Sequence, residues 1–163
     1  MAPPARAVPD LKSFRRGGAG DATRGGLGGG RGGIEGEPVP LDSQDPKFSE
    51  YMAEVKRKIQ SNWGFPCVRN AATKECEYRS AQLVIEFGIL KDGRVQFVEL
   101  KRSSTMGIYD DYALNAIKLS SPFPEIPRDI MQFLQARHKN TTGIPIEATF
   151  TYTVETTIRN LLR

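Results

Sequence analysis

Few residues in this 163-residue chain have types and spacing that could do chemistry. Cys67 and Cys76 bracket the polar stretch VRNAATKE, and such a pair can be a disulfide, part of a metal site or two indifferent thiols. A zinc site needs further ligands, and His138 is the single histidine in the chain. His138 stands in a polar, loop-like stretch and reads as a surface residue rather than a base. Asp110 and Asp111 are adjacent, so on a helix they diverge and cannot act as a paired acid and base; complementing the helix dipole is their simpler role. The run RGGLGGGRGG, residues 24–33, follows no strand, which removes the phosphate-loop and dinucleotide readings. It resembles an arginine-glycine RNA-binding segment but lacks the aromatics that stack on bases, so a flexible charged linker is the plainer reading. No catalytic set, metal site or cofactor is expected, and the chain reads as a non-enzyme.

The elements that would have to position any site centre on residues 83–104. Leu83, Ile85, Phe87 and Ile89 alternate with polar or small neighbours, the period of a strand with one buried face. Asp92-Gly93 supplies a tight turn, and Val95, Val98 and Leu100 continue as a return strand. The step of three between Val95 and Val98 predicts a bulge. Before the hairpin, Asp45-Pro46 opens a helix whose stripe is Phe48, Met52, Val55, Ile59 and Trp63. After it, Ser103 or Ser104 caps a second helix with Tyr109, Ala113, Ala116 and Ile117 inward. A short third helix is expected over 128–139. The last strand, 144–155, alternates Ile144, Ile146, Ala148, Phe150 and Tyr152 against Glu147, Thr149, Thr151 and Thr153.

This order predicts an α+β domain, with two main helices on one face of a small three-stranded antiparallel sheet of order 2-1-3. The last strand would then be an open edge. Residues 1–45 hold eleven of the sixteen glycines and five of the eleven prolines, with Phe14 as their one aromatic. They are expected to be a disordered tail, with the folded domain at 46–163. The net charge of +4 and a pI near 9.2 permit a basic binding face without requiring nucleic acid. No run reaches the length of a transmembrane helix, and residues 1–12 lack the apolar core of a signal peptide.

Four stretches together resemble the C-terminal domain of the TonB/TolA family of periplasmic energy transducers. They are YMAEVKRKIQSNWGFP, FGILKDGRVQFVELKRSS, YDDYALNAIKLSSPFPEIP and IPIEATFTYTV, which cover most of residues 50–155. IQSNW looks more like the TolA branch, while the hairpin looks equally like TonB. The resemblance implies a periplasmic domain tethered to the inner membrane by a segment absent from this chain, beside a motor of the ExbB–ExbD type. It implies capture of an outer-membrane TonB-dependent receptor segment as a strand added to Ile144, Ile146, Glu147, Ala148, Thr149, Phe150, Thr151, Tyr152 and Thr153. A homodimer is compatible with it. In such an oxidising compartment Cys67 and Cys76 would be disulfide-bonded. A TolA-like envelope-integrity adaptor and a soluble RNA-binding protein are the alternatives. The chain departs from the family in its longer 66–80 and 128–139 segments and its Gly-rich tail.

Overall fold

Helix α1 (Pro46–Gln60) begins where its sequence supplies a cap: the Asp45 carboxylate accepts the Lys47 N–H at 2.9 Å, and Pro46 needs no donor in the first turn. The computed structural model describes residues 30–154 and 158–163. Phe48, Met52, Val55 and Ile59 are buried along α1, and Trp63 just beyond it. Tyr51 joins them and donates its hydroxyl to the Pro124 carbonyl at 2.7 Å. Two more helices follow, α2 (Gly107–Ser120) and α3 (Arg128–Arg137). The serine pair does not cap α2 as expected. Met106 is the N-cap, and the buried Asp110 carboxylate instead accepts the Ser103 hydroxyl and the Ser104 N–H. Asp110 lies in the first turn of α2, as its dipole role requires, and is in addition a buried tie for the preceding loop.

Strands β4 (Ala81–Leu90), β5 (Val95–Arg102) and β6 (Gly143–Val154) lie in the order β5-β4-β6, with both neighbours antiparallel to β4. Gly93 turns the β4–β5 hairpin at φ +99°, and a Cβ there would meet the Phe123 carbonyl oxygen. The bulge predicted near Val95 is present: Ile89 pairs with Val95 and Gly88 with Phe97, leaving Gln96 over. A second shift leaves Lys101 over between Leu100 and Arg102.

The sheet is larger than the three strands expected. Strand β1 (Val39–Pro40) lies parallel beside β6, and β7 (Ile158–Leu162) pairs with β6 antiparallel, making five strands. Segments of two and five residues are too short to show an alternating pattern, which is why the sequence hid them. A separate ribbon of β2 (Val68–Arg69) and β3 (Cys76–Glu77) is closed by the Cys67–Cys76 disulfide, Cα to Cα 4.9 Å.

The register places Leu83 opposite Phe150, Ile85 opposite Ala148, Phe87 opposite Ile146 and Ile89 opposite Ile144. These side chains share one face and form the core with α1 and α2. The other face carries Val84, Glu86, Gly88 and Phe97. Part of the expected tail lies across it. Residues 30–33 turn sharply, with Gly33 at φ +92°, and Ile34 is only 2% exposed. Leu41, just after β1, is 1% exposed. Residues 30–45 are therefore packed chain, because glycines that composition reads as slack serve here as turn residues. Residues 1–29 of the expected disordered tail lie outside the described residues.

Candidate partner-binding edge

Strand β6 runs beside β4 for ten successive pairs, from Gly143–Leu90 to Tyr152–Ala81, without a register shift. That leaves a straight outer edge whose backbone groups must find partners. The Leu41 N–H donates to the Glu147 carbonyl at 2.9 Å, and Thr149 and Arg163 exchange both backbone bonds at 2.8 and 3.0 Å. In an extended strand the N–H and C=O of one residue point the same way and alternate along the chain. Glu147, Thr149, Thr151 and Thr153 therefore face outward, while Ile144, Ile146, Ala148, Phe150 and Tyr152 turn their backbone to β4.

The nine edge residues named from the sequence thus fall into two groups. Ile144, Ile146, Ala148, Phe150 and Tyr152 are at most 1% exposed and supply core side chains. Glu147, Thr149, Thr151 and Thr153 present the edge itself, with Glu147 exposed and the threonines half-buried. Tyr152 also fixes α1 to the strand. Its hydroxyl accepts from Trp63 Nε1 at 2.8 Å and donates to the Tyr109 carbonyl at 3.0 Å. Burial pushes this hydroxyl well above the ordinary tyrosine range, so it stays a neutral donor. The Trp63 ring stands edge-on to Phe150, with centroids 4.9 Å apart.

The edge was expected to be open, and it is occupied. β1 covers Ile146–Glu147, β7 covers Phe150–Val154, and Arg163 closes the gap at Thr149. The physical reason is that an unpaired, straight edge is costly, and the chain has apolar anchors at both ends to hold cover in place. Leu41 is one anchor and Leu162, fully buried in the core, is the other. Sequence reasoning missed both. One signal was available: Pro38 and Pro40 alternate around Val39, which keeps missing donors on one side and suits an outermost strand.

The second face beside this edge holds a charged cluster. Arg31 pairs with Glu86 at 3.1 Å and Glu99 at 3.4 Å, and its guanidinium lies 4.4 Å over the Phe97 ring centroid. Lys101 lies 3.6 Å from Glu86, whose side chain is 5% exposed. Arg31, the second arginine of the glycine-rich run, is thereby committed to the protein's own sheet. The disulfide-closed ribbon takes no part in the edge. Among the described residues no three His, Cys, Asp or Glu side chains gather to hold a metal, and no helix is long and apolar enough to cross a membrane.

The family described as TonB C terminal matches residues 48–137, more than half of the chain and the span from α1 through α3. No curated protein sequence matches it. Among solved structures, the chain is similar to the solution NMR structure of TolAIII bound to a peptide derived from the N-terminus of TolB. That similarity has a TM-score of 0.44 and 15% identity, over 64% of this chain and 74% of that one.

Proposed function

Because this chain belongs to the TonB C-terminal family, we propose that it is the partner-capturing domain of a periplasmic energy transducer, and that it adds an outer-membrane receptor segment as a strand along β6. The observation that carries this reading is the occupancy of the β6 edge. Ten residues of straight ladder are covered by short pieces, a two-residue strand, a five-residue strand and Arg163. An incoming extended segment would replace backbone bonds one for one at Glu147, Thr149, Thr151 and Thr153. The exchange therefore costs little in hydrogen bonding and makes slight demand on the partner's sequence. Such a domain binds rather than catalyses. Force would arrive from an inner-membrane motor of the ExbB–ExbD type through the N-terminal part of the protein.

The test is titration of peptides copying receptor N-termini against the isotope-labelled chain. Binding with shifts concentrated on the Thr149, Thr151 and Thr153 amides is expected. Binding at helices α1 or α3 with an unaffected β6 would refute strand addition. The ending of α1, Ile59-Gln60-Ser61-Asn62-Trp63, favours a TolA-like adaptor as the second reading, since it looks more like that branch. Peptides from periplasmic envelope proteins, run in the same titration, discriminate the two.

A further inference from the structure

We propose that residues 31–41 are a built-in clasp that regulates the capture edge, holding the Ile146–Glu147 end shut until it is released. This inference rests on the strand-capture reading and concerns what controls it. The clasp has two footholds on different faces of the sheet. On the second face, Arg31 is paired with Glu86 and Glu99 over the Phe97 ring, and Ile34 is buried beside Gly88. A Cβ on Gly88 would lie 2.7 Å from the Ile34 side chain, so the absence of that atom makes the seat.

Further bonds register the segment. Thr142 donates its N–H to the Gly33 carbonyl at 3.1 Å and its hydroxyl to the Gly32 carbonyl at 2.9 Å. The Glu35 N–H donates to Thr141 Oγ1 at 2.9 Å. At the edge, Val39 and Pro40 lie against Ile146 and Glu147, and Leu41 enters the core. The Leu41 bond to Glu147 turns the Val39–Leu41 side of this strand toward β6. Pro40 then faces outward, where its missing donor discourages any further strand from stacking on the clasp.

Two paired residues cannot hold an edge by themselves. The seat of Arg31 and Ile34 keeps the short strand at high local concentration beside β6. The clasp also lies between residues 1–29 and α1, so a pull arriving from the N-terminal side reaches it before α1. Its release uncovers the Glu147 end of the edge, while β7 stays paired at the other.

Hydrogen exchange tests this without a partner. In the full chain carrying Arg31→Ala and Ile34→Ala, the Glu147 amide should exchange at least tenfold faster. The Ala148 amide, turned to β4, and the Thr151 amide, turned to β7, should keep their rates. Arg31→Glu alone, which opposes Glu86 and Glu99 without emptying the Ile34 seat, should act in the same direction. Receptor N-terminal peptides should then bind the double variant at least tenfold tighter than the unaltered chain. Unchanged Glu147 exchange in both variants, or a uniform rise along β6, overturns the clasp. Faster Glu147 exchange with equal peptide affinity overturns its regulatory role. Peptides that bind neither chain overturn the capture reading, and the regulation with it.

Discussion

Strands β5 and β6 flank the same central strand, yet their outer edges are built differently. β5 is broken by two register shifts within eight residues and ends in the exposed charges Lys101 and Arg102. Its start is covered where the Val95 N–H donates to Ser121 Oγ at 3.3 Å. Bulges and charges of this kind make an edge a poor template for any other strand. β6 has no shift across ten pairs and no charge among its outward residues apart from Glu147. An edge that is only covered remains a template, available whenever its cover leaves. The contrast supports the proposal that β6, not β5, is the side that pairs with a partner.

The two edges should respond differently to substitution and truncation, as unfolding and association measurements would read. The largest effect is expected from Phe150→Ala on β6, a fully buried ring against Trp63, at about 3–5 kcal/mol in chemical denaturation. Phe97→Ala on β5 should cost less, since that ring lies outside the main core, on the second face beneath the Arg31 guanidinium. Equal losses would mean that the two faces are equally core.

Removing residues 1–44, which composition alone would make neutral, is expected to lower stability by about 3 kcal/mol as Ile34 and Leu41 leave the interior. An unchanged thermal midpoint would sink the packed-strap description. Removing residues 158–163 should cost about 2 kcal/mol, the loss of one buried leucine, Leu162. The same truncation should leave Thr149 and Thr151 unpaired and promote peptide binding or dimers in sedimentation. In the full chain, Thr149→Pro should abolish strand addition by deleting an outward donor, whereas Thr149→Val should be tolerated.

The smallest effect belongs to the other edge. Lys101→Val with Arg102→Val should change stability by no more than about 0.5 kcal/mol. It should nonetheless raise the tendency of β5 to self-associate in light scattering, because the charges act against wrong pairing. No change in association would show that the bulges alone suffice there.

What the sequence carried was everything with a period. Four apolar positions mark α1 and a fifth, Trp63, the turn beyond it; the alternation of Leu83 to Ile89 marks β4, and Ile144 to Tyr152 mark β6 with its buried and outward sets correctly separated. The bulge near Val95 was legible from one broken step. The Asp45 cap and the Gly93 turn were legible from residue chemistry alone. These features are local, each decided by neighbours within a few residues, so they survive without knowledge of the rest of the chain.

Tertiary structure alone decided what happens at the edge of β6. Val39-Pro40 and residues 158–162 become strands only because β6 offers them backbone partners, and Leu41 and Leu162 find seats made by distant elements. The glycine-rich run read as slack because composition counts freedom. Arg31, Gly33 and Ile34 are ordered by Glu86, Thr142 and Gly88, at least fifty residues away in the chain. Contacts at that separation leave no period in the sequence, so the occupied edge was invisible until the sheet was assembled.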